Sequence, residues 1–258
     1  RLNNPARIDR SEVLVMGLSF SGGGTGAAAR AYGVMEQLAQ TEITLEGRKR
    51  SLMDEVDAIS GVSGGSFTAA YYGLYGRRIF DDFETRFLKK NVQKDLLLDT
   101  VSLGNWFRLL SSKFGRSDMA AEYYDRILFE GKTFGDIQAQ GGPLILINAT
   151  VLVLGSHFTF TQDMFDLICS DVSKYPVSRA VAASSAVPGL LTPITLYNYA
   201  GTCDYEPAGW MKKALAEPSL SRRRTQQALN YHSYLDPRRR PYIHLIDGGP
   251  SDNLGLRG

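Results

Sequence analysis

Histidine and cysteine are scarce in this chain: 258 residues include three His and two Cys. Cys169 and Cys203 show no paired spacing, and the histidines (157, 232 and 244) are scattered, so neither a structural zinc pattern nor a Cys-x-x-Cys redox pattern is present. No metal and no cofactor are expected. The two cysteines read as independent half-buried thiols, with a disulfide as the alternative. A one-sided charge is also missing. Lys and Arg number 29 against 27 Asp and Glu, a formal net charge of +2, which does not mark a nucleic-acid partner and leaves room for attraction to an anionic lipid surface. No apolar stretch reaches the roughly 18–20 residues of a membrane-spanning helix. Arg1 to Arg10 is polar and lacks the apolar centre of a signal peptide. The chain starts without Met, so any targeting segment is expected outside the given sequence. Internal repeats and low-complexity tracts are absent.

Present instead is an alternation of apolar runs and glycine turns. Hydrophobic residues make up 43% and charged residues 22%, the balance of an ordinary globular protein. Val13–Phe20 is a continuous apolar run of strand length, as expected of a strand buried on both faces. Ala27 to Leu38 follows as a helix. Val56–Ile59 is a short strand, Ser66–Tyr75 a helix rich in Ala and Tyr, Pro143–Leu154 a long β-type run, His157–Thr161 the next strand and Tyr242–Ile246 the last. Strand–helix alternation predicts an α/β fold, a three-layer α/β/α arrangement with a mostly parallel central sheet. One domain over residues 1–258 is expected, because motifs near both ends have to meet. Residues 80–137 are mostly helical in pattern, with Leu96-Leu97-Leu98 and Trp106-Phe107-Arg108-Leu109-Leu110, and read as a helical cap or an outer-layer segment. Two arginine triplets, 222–224 and 238–240, read as solvated loops.

Three glycine turns carry the chemistry. Gly61-Val62-Ser63-Gly64-Gly65 fits G-x-S-x-G, a sharp strand-to-helix turn that presents a serine hydroxyl, although a plain strand–helix turn fits the same residues. Ser21-Gly22-Gly23-Gly24-Thr25-Gly26 supplies unobstructed backbone N–H groups suited to an anionic oxygen. The same glycines also satisfy G-x-G-x-x-[GA], a dinucleotide-binding turn, for which Glu42 and Glu46 stand near the expected acid about 20 positions on. Ser63 on the following strand favours the oxyanion reading, since neighbouring parallel strands bring both turns to one sheet edge. Asp247-Gly248-Gly249 places a carboxylate where an apolar strand ends, as a base or as a turn-capping aspartate. His244 lies within that strand and reads as a packed histidine. His232, on a late polar segment, is the candidate for a Ser-His-Asp esterase.

Phe20-Ser21-Gly22-Gly23-Gly24-Thr25, Gly61-Val62-Ser63-Gly64-Gly65-Ser66 and Asp247-Gly248-Gly249-Pro250-Ser251-Asp252-Asn253-Leu254-Gly255, together with Ala180 to Gly189, resemble the patatin-like phospholipase family in its bacterial form. The resemblance implies a Ser–Asp dyad without catalytic histidine or metal, cleaving fatty acyl esters of phospholipids or lysophospholipids. By position, Ser63 is the implied nucleophile and Asp247 the implied general base. Gly22, Gly23 and Gly24 form the implied oxyanion hole, helped by Gly64. One position departs from the pattern: Gly26 stands where relatives carry Arg or Lys. Such a substrate implies docking at a membrane or micelle surface through the 80–137 region, a peripheral location and no nucleic-acid partner. Oligomeric state is left open. Non-catalytic nucleotide or lipid binding is the remaining alternative. Asp252 and Asn253 are expected to brace the Asp247 loop through side chain to backbone hydrogen bonds, and Asn148, Gln162 and Asp163 receive no role.

Overall fold

A computed structural model of the chain describes residue 11 and residues 14–92, 94–96, 108 and 114–257. Eight strands occur among them, in chain order β1 (Met16–Phe20), β2 (Glu42–Leu45), β3 (Arg48–Ser51), β4 (Val56–Val62), β5 (Leu144–Val151), β6 (Ser156–Thr159), β7 (Ile194–Tyr197) and β8 (Tyr242–Ile246). The helices are α1 (Gly24–Gln40), α2 (Gly64–Tyr75), α3 (Ile79–Phe83), α4 (Arg116–Tyr124), α5 (Phe134–Ala139), α6 (Gln162–Asp166), α7 (Val177–Ser184), α8 (Gly209–Ala216), α9 (Arg222–His232) and α10 (Gly249–Asp252).

The architecture is α/β, with helices around a central sheet that contains parallel strands. β1, β4 and β5 run parallel, with Phe20 opposite Gly61 and Val62 opposite Asn148. The remaining members are antiparallel: β6 and β8 on β5, and β7 on β8. The sheet is therefore mixed, and the parallel arrangement holds for the strands that carry the two glycine turns. A short loop joins β5 to β6 at Gly155 (φ 59°), which suffices only for an antiparallel return.

β4 covers β5 as far as Asn148, and β8 takes up the ladder at Thr150. The far ends of β4 and β8 meet: a Cβ on Gly248 would lie 2.9 Å from Val62 Cγ1 and 2.6 Å from the Asn148 carbonyl oxygen. The strands preceding Ser63 and Asp247 thus end against each other.

α2 is buried on every side from Gly64 to Leu74, as its Ala- and Tyr-rich composition dictates for a helix with no solvated face. Thr68 bonds the Ala28 carbonyl of α1. Gly73 takes the close approach of β5, since a Cβ there would lie 2.5 Å from Ile145 Cγ1. Within 80–137, α3 and α4 continue into π-type turns at Glu84–Leu88 and Asp125–Phe129. Their aromatic side chains pack on α2, with Phe67 stacked on Phe87 at 4.5 Å and edge-on to Tyr124 at 4.8 Å. Each such buried ring contributes roughly 1.5–3 kcal/mol of hydrophobic stabilisation. Leu97, Leu98 and Trp106 to Leu110, apart from Arg108, lie outside the described residues.

Three sequence expectations are corrected, for Val13–Phe20, for the cysteines and for the first arginine triplet, and one hairpin is added that the sequence pattern does not mark. The run Val13–Phe20 yields an edge strand, β1, in which Gly17 and Ser19 are exposed and only Phe20 is buried. Glu42–Ser51 forms a separate hairpin, closed by Glu46 and Gly47 at φ 51° and 76°, the positive pair a tight hairpin turn requires. Cys169 and Cys203 are joined in a disulfide with Cα atoms 5.6 Å apart. The arginine triplet 222–224 forms the first turn of α9, exposed, while 238–240 lies in the turn after Asp236.

Candidate active site

Ser63 sits between the end of β4 and the start of α2 with φ 48° and ψ −117°. Such a backbone is strained for a residue with a side chain, at a cost of about 1–3 kcal/mol. Three groups hold it there. Ser66 donates to the Ser63 carbonyl through both its N–H (3.0 Å) and its hydroxyl (2.5 Å). The Ser63 N–H donates to Ser184 Oγ at 2.8 Å, and that hydroxyl donates to the Asn148 carbonyl at 2.6 Å. The flanking glycines remove obstacles: a Cβ on Gly64 would overlap the Gly24 carbonyl oxygen, and one on Gly65 would stand 2.5 Å from the Phe20 carbonyl oxygen.

Ser184, at the end of α7, is fully buried and serves both turns. Its hydroxyl accepts from Ser63, while its carbonyl accepts from the Gly248 N–H at 3.1 Å. The next bond along, from Asp247 N–H to the Ala186 carbonyl (2.9 Å), fixes the acid's backbone to the same segment. Ser63 and Asp247 are 7% and 8% exposed, sheltered but reachable. Asp247 Oδ1 accepts from the Gly249 N–H at 2.8 Å. The Ser63 hydroxyl and the Asp247 carboxylate are not hydrogen-bonded to each other, and long or unmade contacts are common between groups that meet only around a ligand.

The first glycine turn closes over the same place. A Cβ on Gly22 would lie 3.4 Å from Ser63 Cβ. The Gly22 N–H donates to the Asn253 carbonyl at 3.0 Å, so it is not free to meet an oxyanion in this arrangement. Gly23 and Gly24 have φ 136° and 61°, where a side chain is strongly disfavoured. Gly24 and Gly64 open α1 and α2, and Gly23 caps α1. N–H groups at such positions have no acceptor within their helix. Arg30, one turn past Gly26, bends back over this turn: its guanidinium nitrogens lie 3.5 Å and 3.9 Å from where Cβ atoms on Gly23 and Gly26 would be. It is exposed, with no acidic partner among the described residues.

Below the turns, Asn148 is fully buried and reaches several strands at once. It donates to Ser60 Oγ (2.8 Å) and the Gly61 carbonyl (3.1 Å), and accepts from Thr159 Oγ1 and from His157 Nε2 at 3.0 Å. Because Asn148 offers an oxygen, His157 carries its proton on Nε2. Burial holds His157 below the usual histidine pKa, partly opposed by Asp252 and reinforced by Arg257. Ser60 in turn donates to the Gly255 carbonyl at 2.6 Å. Ser184 and Asn148 were not assigned roles from sequence, since their importance lies in tertiary partners that no local pattern encodes. Asp252 braces the loop as expected, accepting from the Arg257 N–H at 2.7 Å, whereas Asn253 acts on Gly22 through its main chain.

Among the described residues no histidine hydrogen-bonds Ser63 or Asp247. His244 pairs with Thr195 Oγ1 at 2.9 Å inside the sheet, and His232 is exposed at the end of α9. Glu42 and Glu46 lie in the separate hairpin, away from the sheet end where a dinucleotide ribose would bind. No group of His, Cys, Asp and Glu able to hold a metal ion occurs among the described residues, and no helix there is long and apolar enough to cross a membrane.

A family model described as Patatin-like phospholipase matches residues 18–258. The chain belongs to that family. No curated protein matches it. Membership accounts for the α/β architecture and carries lipid acyl hydrolase chemistry in its broad form.

Proposed function

We propose that this patatin-like protein is a serine hydrolase that cleaves fatty acyl esters of phospholipids or lysophospholipids through an acyl-Ser63 intermediate. Ser63 Oγ attacks the ester carbonyl while Asp247 accepts its proton. A carboxylate is a weak base, so proton transfer and carbon–oxygen bond formation proceed together. Backbone N–H groups of Gly23, Gly24 and Gly64 receive the developing oxyanion, each such donor lowering the barrier by roughly 2.7–4 kcal/mol. Gly22, whose N–H is engaged, contributes by leaving room for the Asn253 side chain, whose Oδ1 a Cβ there would overlap. Asp247 then returns the proton to the leaving alkoxide and activates the water that releases the fatty acid. Arg30 supplies the cationic charge that Gly26 lacks and attracts the substrate's phosphate.

One observation carries the reading: Ser184 is bonded at once to Ser63 and to the residue after Asp247. Docking to a lipid surface at the rim is supported by Val187 and Leu190, which are 43% and 68% exposed in the loop after Ser184.

Fluorophosphonate labelling with mass mapping tests the dyad. Wild type is expected to be labelled at Ser63, Ser63→Ala not at all, and Asp247→Asn far more slowly, with His232→Ala unaffected. Labelling elsewhere, or loss of turnover only in His232→Ala, refutes it.

A further inference from the structure

Beside β6, on the side of the sheet reached by the segment after Asp247, lies a cavity of about 490 Å³ that the hydrolytic reading does not use. Its floor is His157 and Thr159, its walls are α6, α8, α9 and the Tyr205–Ala208 segment, and Arg257 lies at one side. Two properties coincide there. The first is an aromatic wall: Trp210 stands edge-on to Tyr231 at 5.8 Å between centroids, with Tyr205 also lining the space. The second is negative charge. Asp163 and Asp166 enter from α6, and Glu206 from the facing segment.

The charges facing the cavity do not cancel. Asp163 has no hydrogen-bond or ion-pair partner among the described residues, and Asp166 accepts only from the neutral Gln162 amide at 2.6 Å. Glu206 meets Lys212 at 3.5 Å, an exposed pair of little energetic weight. Arg257, the one cation on the lining, is drawn towards the Ser251 carbonyl at 3.1 Å. His157 is held neutral by burial. Burial pushes the phenol of Tyr205 up, and the nearby Asp166 and Asp163 carboxylates push it the same way. The Cys169–Cys203 disulfide ties the Tyr205–Glu206 segment to the residues just after α6.

A carboxylate-rimmed pocket with Trp and Tyr rings in its wall suits an organic ammonium ion, whose charge and methyl groups pack against aromatic rings while the acids balance that charge. We propose that this cavity binds a small organic cation of the choline or ethanolamine class. The site is distinct from the Ser63 centre and does not depend on the dyad reading. The same ammonium chemistry comes from two sources, a free amine or a lipid headgroup.

Calorimetry of the full chain decides it, using choline chloride and 3,3-dimethyl-1-butanol, which has the same shape without the charge. Choline should bind saturably, and the alcohol about tenfold more weakly or worse. Asp163→Asn should weaken choline about fivefold while ester hydrolysis and fluorophosphonate labelling stay unchanged. Trp210→Leu, an exposed replacement, should abolish choline binding. Equal binding of the two compounds, no binding of choline, or unaltered affinity in both variants overturns the proposal. Competition by phosphocholine-headed micelles and not by glycerol-headed ones assigns the headgroup as the ligand; displacement by free choline alone assigns the amine. Loss of choline binding with Ser63 still labelled separates failure here from failure of the hydrolase reading.

Discussion

Replacing Ser184 with Ala probes the elbow without touching a reacting atom. The hydroxyl removed is fully buried and makes two bonds, accepting from Ser63 N–H and donating to the Asn148 carbonyl. With that hydroxyl gone, the Ser63 N–H loses its acceptor in a buried setting, at a cost of about 1–3 kcal/mol. That loss matches the roughly 1–3 kcal/mol of strain stored at the Ser63 backbone, so the turn has reason to relax. Relaxation by about 2 kcal/mol depopulates the reactive arrangement some thirtyfold. The lost bonds together should lower Tm by about 4–10 °C for a chain of this size. Esterase assays on a short-chain nitrophenyl ester should then show kcat reduced about 10–100-fold with KM nearly unchanged, and labelling of Ser63 slowed in parallel. Ser184→Cys, which keeps a weak donor and acceptor of similar volume, should recover part of kcat. The reasoning is refuted if Ser184→Ala keeps wild-type kcat, whatever happens to Tm, because Ser184 would then be structural only.

Three other outcomes are expected. Arg30→Ala should raise KM for a phosphate-bearing lysolipid while leaving a neutral nitrophenyl ester untouched; equal effects on both substrates would remove the charge argument. His157 has its folded-state pKa below its unfolded value, so its contribution to stability is complete above about pH 6.5 and fades as the pH falls through the folded value. The drop in Tm on acidification should accordingly be smaller in His157→Gln than in wild type, as melting curves across pH 7 to 5 will register. The disulfide closes a 34-residue separation, which on chain-entropy grounds is worth about 3–4 kcal/mol. Cys169→Ser with Cys203→Ser should lose stability on that scale in urea melts while Ser63 labelling persists.

Legibility in the sequence followed the range of the physics involved. β8 spans Tyr242–Ile246 as its apolar run predicts, and the glycine turns fall at strand ends because no other residue tolerates the contacts made by Gly64 and Gly65. α1 and α2 begin two or three residues earlier than their apolar residues mark, since glycine opens both. The Glu42–Ser51 hairpin is faint in the sequence because its strands are four residues each, and β3 (Arg48–Ser51) is wholly polar, so the brief alternation of Glu42–Leu45 stands alone. The antiparallel half of the sheet depends on how connections return, not on composition. The disulfide joins residues whose proximity only the tertiary structure creates. At the candidate site the two glycine turns and the Asp247 turn are readable as turns at strand ends, whereas the buried partners Ser184 and Asn148 look like any serine after a helix and any asparagine in a strand.

The head-on meeting of β4 and β8 bears on when the proposed activity can arise. The serine is built early in the chain, yet its surroundings are completed by a segment bonded back across 195 residues, Ser60 to Gly255. Pairings of such long range form late. On the proposed reading, a nascent or nicked chain would carry Ser63 without Asp247, and hydrolysis would switch on only as a last act of assembly.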